Sequence, residues 1–407
     1  MAGSSAEVAL VSRQPIYDRH TRVFAYELLY RNQFNTSENT DGDLSTAEVL
    51  RNTFLEIGLD RLVGESRAFV NLTRSFVLGD YCSSLPPDRV VLEVLEDVAP
   101  DEDVVQALSR LSAEGYKIAL DDFVYSDDKL PLVRLADYIK IDFRLSHPEE
   151  IPGIVSRLKQ YKALLLAEKV ETHEEFEAAR KSGFDYFQGY FFCQPKTLKV
   201  NRIPLNRLTT LRVVARLRDA EATTSELEEL IRQDIAISYN LLRYVNSASL
   251  SLARPVESVA HAIQMVGRRQ IRTWASLLLL STFEDKPREL TVTALIRGGM
   301  TELLAMKRKL PHPESYFTVG LFSVLDALLD RPMSQAIELL PFNEDIRCAL
   351  LRREGTMGSV LNCVLAYEAG RWNDVQCGDL TSNTIREAYL ASLEAAAELT
   401  RPVPAIQ

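Results

Sequence analysis

The stretch "YKIALDDFVYSDDKLP", residues 116–131, decides how the first half of this chain is read. Its apolar run, Ile118-Ala119-Leu120, ends abruptly in two adjacent carboxylates, Asp121 and Asp122. A strand covered on both faces reads as an unbroken hydrophobic run, as the strands of a parallel sheet do. Acids at its end therefore stand at the edge of a core, where a charge needs a reason. The loop that follows adds Asp127 and Asp128, which read as solvated.

Similar runs lie on both sides of it. They are "SRQPIYD" (12–18), "VFAYELLY" (23–30), "AFVNLT" (68–73), "VVLEVLE" (90–96), "KIALDDF" (117–123), "YIKIDF" (138–143), "ALLLAEKV" (163–170) and "YFQGYFF" (186–192). Helical patterns separate several of them. "DEDVVQALSRLSAEGY" puts Val104, Val105, Leu108 and Leu111 on one face and stops at Gly115. "THEEFEAARKSGF" opens with Thr172 and Glu175 at capping-box spacing and stops at Gly183. Strands alternating with helices predict a parallel sheet. Around eight of them in about 200 residues predict a (β/α)8 barrel of the TIM type. The first two runs are joined by little more than "RHT", too short for a crossover helix, so they pair antiparallel and the barrel is irregular.

Beyond residue 200 the β signal disappears, so the fold class is α/β followed by all-α. "SELEELIRQD" offers Ser225 and Glu228 as a capping box, with Leu227, Leu230 and Ile231 on one face. "RQIRTWASLLLL" spaces Ile271, Trp274, Ala275, Leu278 and Leu279 as a helix does, and "SYFTVGLFSVLDALLD" repeats this with Phe317, Gly320, Leu321, Val324 and Leu328. The expected domains are 1–200 and 201–407, joined through the basic stretch "KTLKVNRIPLNRL" (196–208).

Composition narrows the function. The 407 residues are 46% hydrophobic and 26% charged, ordinary for a globular chain of at least two domains. A formal charge of −10 argues against a binder of nucleic-acid polymers, which needs a basic surface. No apolar run reaches the roughly 18 residues of a membrane span, "WASLLLLSTF" (274–283) being among the longest, and no secretory signal opens the chain. The five cysteines, scattered and without a CxxC pair, read as free thiols of a reducing cytoplasm.

The informative pattern is positional. Glu27, Asn71, Glu93, Asp121 with Asp122, Lys140, Glu168 and Gln188 all sit in or just after the C-terminal part of a strand. Singly, each is explained as a helix cap or a solvated loop residue. Together they point at one mouth, because the C-terminal strand ends of such a barrel meet at the face where active sites are built. Carboxylates so crowded repel one another and require a positive charge. Oxygen ligands without His or Cys suit Mg2+, Mn2+ or Ca2+. Adjacent Asp residues can serve two ions, Asp121 bridging and Asp122 on the second only, an arrangement suited to in-line attack of water on a phosphodiester. Glu168 would bind the second ion or act as general base, and Lys140 would neutralise phosphate oxygens.

These residues, in "RQPIYD…YELLYR", "FVNLT", "LEVLE", "ALDDF", "IKID", "LLAEKVET" and "YFQGYFFCQP", resemble the EAL family of cyclic di-GMP phosphodiesterases over residues 10–196. The resemblance implies metal ligands at Glu27, Asn71, Glu93, Asp121 and Asp122, and two ions, Mg2+ or Mn2+. It implies catalytic roles for Lys140, Glu168 and Gln188, a substrate-phosphate contact from Arg31, and bracing of the loop after the Asp pair by Glu96. Two departures stand out. The signature tripeptide reads Glu27-Leu28-Leu29, with Leu for Ala, and the usual Gly-rich loop is replaced by Val124-Tyr125-Ser126-Asp127-Asp128-Lys129-Leu130. In the family that loop couples metal binding to dimerisation, so both turnover and a homodimer turn on it.

The second half resembles the HDOD domain, a relative of HD phosphohydrolases, through "DIAISYNLLRYVNSASL" (234–250) and "VESVAHAIQMVGRRQIRTWASLLLL" (256–280). "GLFSVLDALLDRPM" and "VLAYEAGRW" resemble proteins in which both domains are fused. Only His261 and His312 fall in this half and neither precedes Asp, so a metal-hydrolase site is not expected there. His261 reads as structural or exposed; Arg268, Arg269 and Arg272 form a helix face that is solvated or docks a protein partner. Two functions follow: a cytoplasmic enzyme hydrolysing cyclic di-GMP to linear pGpG under control of the helical domain, or a non-catalytic receptor or scaffold signalling through it.

Overall fold

Eight strands close into a barrel in chain order: β1 (Leu10–Asp18), β2 (Val23–Arg31), β3 (Arg67–Leu72), β4 (Val90–Val94), β5 (Lys117–Leu120), β6 (Tyr138–Asp142), β7 (Leu164–Glu168) and β8 (Tyr186–Gln188). β1 is antiparallel to both of its neighbours, β2 and β8, and the other pairs are parallel. The computed structural model describes residues 10–31, 57–79, 81–144, 151–195, 205–217, 222–232, 235–245, 256, 258–282, 286–340 and 342–400.

The barrel interior is built in layers. Ile16, Ala25, Phe69, Val91, Ala119, Tyr138 and Leu166, from β1 to β7, form one buried apolar cluster, with Tyr186 of β8 packed against it. Side chains two residues apart on a strand share a face. The next inward positions towards the C-terminal ends of β2 to β8 are therefore Glu27, Asn71, Glu93, Asp121, Lys140, Glu168 and Gln188. On the reversed β1 the matching position is Gln14, which pairs with Glu27 across the ladder. The hydrophobic layer is thus the floor of a polar one.

Strand ends differ from the runs read in the sequence. β5 stops at Leu120, and Asp122 takes a positive φ of 37° that no ladder continues. β8 stops at Gln188, because Gly189 (φ +142°) packs so close to Val170 that a Cβ would fall on its carbonyl oxygen. Phe191–Cys193 is a 3-10 turn, not strand. Helix caps hold as the chemistry requires: Asp101 accepts from the Val104 amide before Glu102–Ala113, and Thr172 and Glu175 make both bonds of a capping box before His173–Ser182.

By its contacts the chain divides into two compact units, Met1–Gln194 with Tyr367–Trp372, and Pro195–Ala366 with Asn373–Gln407. In the second unit every described element is helical. Leu227, Ile231, Ile271, Trp274, Ala275 and Leu278 are buried as their spacing requires. The capping box expected of Ser225 and Glu228 lies two residues earlier: Glu226 accepts from the Thr223 amide at 2.7 Å, and the Glu226 amide donates to the Thr223 hydroxyl at 3.3 Å. Both pairs have the same spacing, and the earlier one starts the helix, Thr224–Arg232. Gly267 (φ 74°, ψ 163°) breaks Val259–Thr282 just before the Arg268–Arg272 cluster, whose side chains lie outside the described residues. His261 and His312 are exposed. No described helix is long and apolar enough to cross a membrane.

Candidate active site

One ammonium organises the polar layer. Lys140 Nζ, reached from the middle of β6 and wholly buried, lies 3.3 Å from Glu27, 2.9 Å from Asp121 and 2.8 Å from Glu168, and also pairs with Glu93. Asn71 Nδ2 donates to Glu27 Oε1 at 3.3 Å. Gln188 Nε2 donates to Glu27 Oε2 at 2.5 Å and to Gln14 Oε1 at 2.9 Å. Side chains from seven strands, and from Asp121 just after β5, therefore meet in one network.

Its electrostatics follow from burial. Burial raises the Glu93 carboxyl well above its ordinary value; Lys140 opposes this, while Glu27, Asp121 and a hydrogen bond with Asp121 add to it. Burial also works to raise Asp121, but Lys140 and the hydrogen bond from Glu93 outweigh it and hold Asp121 below its ordinary value. Burial pushes Glu168 up to about 8 against the pull of Lys140. Burial works to discharge Lys140 itself, and Glu168, Glu27, Glu93 and Asp121 together keep it charged.

Lys140, read as neutralising phosphate oxygens, has its ammonium among four carboxylates inside the barrel. The reason is geometric, since it stands one layer below its strand end and Asp142, two residues on, takes the rim. Asp122 turns away from this network to the rim, where half-exposed Lys169 bridges Asp122 Oδ1 at 3.1 Å and Asp142 Oδ2 at 2.7 Å. Arg31 ends β2, its side chain outside the described residues. Glu96, read as bracing the loop after the Asp pair, is exposed. The loop after Asp122 takes its own path without the glycines: Arg157 lies over the Tyr125 ring at 5.2 Å, and Asp127–Lys129 form a 3-10 turn.

The sequence reading missed four participants. Gln14 is the cross-strand partner of Glu27, and Asp142 follows Lys140 at the same-face spacing; both were detectable from period two. The Tyr30 hydroxyl donates to the Asn71 carbonyl at 2.5 Å, and Lys169 adopts φ 56° beside Glu168. Nothing in the sequence marked these two.

The residues also bear on a metal. As the side chains lie, no three His, Cys, Asp or Glu groups of the described residues are arranged to hold an ion, and Lys140 is the cation among them. Yet Asn71 Oδ1, Glu93 Oε2, Glu168 Oε2 and Gln188 Oε1 are buried oxygens without a hydrogen-bond donor. Four such orphans in one place are costly. All are hard oxygen donors, and one ammonium among four carboxylates leaves negative charge over. The set fits a hard divalent cation.

The family model described as EAL domain matches residues 78–195, and that described as HDOD domain matches 203–330. The chain is 33% identical over 399 residues to the YuxH protein of Bacillus subtilis, spanning 95% of this chain and 96% of that one. It is 35% identical over 375 residues to the cyclic di-GMP phosphodiesterase CdgJ of Vibrio cholerae, spanning 90% and 86%. Among solved structures, a calcium and cyclic di-GMP complex of Klebsiella pneumoniae BlrP1 aligns at 24% identity with a TM-score of 0.41, over 48% of this chain and 58% of that one. The chain belongs to the family of proteins that join an EAL domain to an HDOD domain.

Proposed function

We propose that the barrel, residues 1–200, is a metal-dependent phosphodiesterase that opens cyclic di-GMP to linear pGpG, and that residues 201–407 regulate it or pass its state to a protein partner. The observation that carries this reading is the group of orphaned buried oxygens on Asn71, Glu93, Glu168 and Gln188 beside an excess of carboxylates. Similarity to CdgJ over 90% of this chain supports the substrate. Held by Glu27, Asn71, Glu93, Asp121 and Asp122, two Mg2+ or Mn2+ ions would supply neutralising charge and an acidified water for in-line attack at phosphorus. Glu168, 2.8 Å from Lys140 in this ring, would as the carboxylate accept a proton from the attacking water. Lys140 holds the acids together, Gln188 orients Glu27, and Arg31 contacts a substrate phosphate. The altered loop is what speaks for a receptor, but the ring of acids is complete, which favours turnover.

Purified full-length protein given Mg2+ or Mn2+ should convert cyclic di-GMP to pGpG, resolved by chromatography. Glu27→Ala and Asp121→Ala should each lower the rate by at least about 100-fold with the fold retained. Tight nucleotide binding without any pGpG from the wild-type chain would return the barrel to a receptor.

A further inference from the structure

The stretch "YEAGRW", residues 367–372, lies beyond both family-model matches, which end at 195 and 330, yet by its contacts it belongs to the barrel unit. The helix Gly355–Glu368 runs into it. Tyr367 is wholly buried and its hydroxyl donates to the Val11 carbonyl at 3.0 Å. Ser12, also wholly buried, donates its hydroxyl to the Glu368 carbonyl at 3.0 Å. The Trp372 ring stands edge-on to Tyr367 at 5.3 Å. Between them Gly370 turns with φ +66°, and a Cβ there would lie 3.1 Å from Leu29 Cδ1.

The register shows what these contacts hold. Ser12 pairs with Leu29, and Gln14 with Glu27, on β1 and β2. With a period of two, the Ser12–Leu29 pair stands one layer above the Gln14–Glu27 pair, on the same face of the strands. Leu29 is also the last residue of the tripeptide that begins with Glu27. The segment therefore grips the rung directly above the acid layer, at the strand pair that presents Glu27 and its partner Gln14. A shift of that rung moves the carboxylate that Lys140, Asn71 and Gln188 all engage. Two hydrogen bonds, one at Ser12 of that rung and one at its neighbour Val11, are made with residues 356 positions away in the chain.

We propose that Tyr367–Trp372 is a positioning element of the acid site, clamping the Ser12–Leu29 rung so that Glu27 and Gln14 stay in place. The proposal concerns the same site as the phosphodiesterase reading and rests on that reading only where turnover is measured. The test uses the full-length chain with Tyr367→Phe, which removes one hydroxyl, and Gly370→Val, which presses on Leu29. Amide exchange is followed by mass spectrometry, and Mn2+ is titrated by calorimetry. Exchange should quicken in residues 10–31 and stay unchanged in β5 to β7, while the Mn2+ half-saturation point rises by about 10-fold. In the turnover assay kcat should fall with KM for cyclic di-GMP unchanged. Unchanged exchange in residues 10–31 in both variants, or equal quickening in every strand, would overturn the proposal. Should the wild-type chain make no pGpG, the phosphodiesterase reading fails alone, and the exchange pattern still decides this one.

Discussion

Lys140 is the residue on which the site balances. It is a buried cation facing Glu27, Glu93, Asp121 and Glu168, and removing one member of a buried ion cluster typically costs about 3–5 kcal/mol. Lys140→Met should lower the melting midpoint sharply, and Mg2+ or Mn2+ should restore more stability to the variant than to the wild type, as seen by calorimetry. Equal responses to the ion would mean that the acids do not form a cation site. Glu168 gives a pH signature. Its carboxyl titrates at about 8 in the folded chain against an ordinary 4.5. Between those values the folded chain holds a proton that the unfolded chain has released, so this contribution to stability is lost as pH rises towards 8. Without metal, the wild-type chain should therefore lose stability relative to Glu168→Gln as pH is raised through that window, read from urea midpoints. A constant difference between the two would contradict the raised carboxyl.

At the scale of elements, the strands place the site and the caps place the helices. Each inward residue of the polar layer lies two positions beyond an inward apolar one, so the hydrophobic cluster and the acid ring specify one another. A register slip of one residue would send both to the wrong face. This is why the strand-end acids are legible in the sequence alone. Caps are harder, because two overlapping capping boxes at 223–226 and 225–228 look alike in sequence. Their side chains settle the matter for Thr223. Thr223→Ala should lower the melting midpoint by about 2–4 °C, while Ser225→Ala should leave it within error, both by circular dichroism. The reverse order would restore the box first expected at Ser225.

For the whole molecule, binding at the acid ring couples to folding of the barrel unit by mass action. Mn2+ at about 100 times its half-saturation point should stabilise that unit by about 2.7 kcal/mol, with chelation reversing the gain and Glu27→Ala abolishing it. A melting profile indifferent to Mn2+ would count against the ligand set. What the sequence determined alone was local and periodic: which runs are strands, which residues share their inward face, and where the β half gives way to helices. Those properties depend on alternation and spacing, which a chain displays without being folded. What tertiary structure decided was the direction of long side chains and the meeting of distant segments. Lys140 turned inward because four carboxylates outbid solvent for its charge, and Tyr367–Trp372 joined a barrel whose first strand lies 356 residues earlier, a closure that no local pattern records.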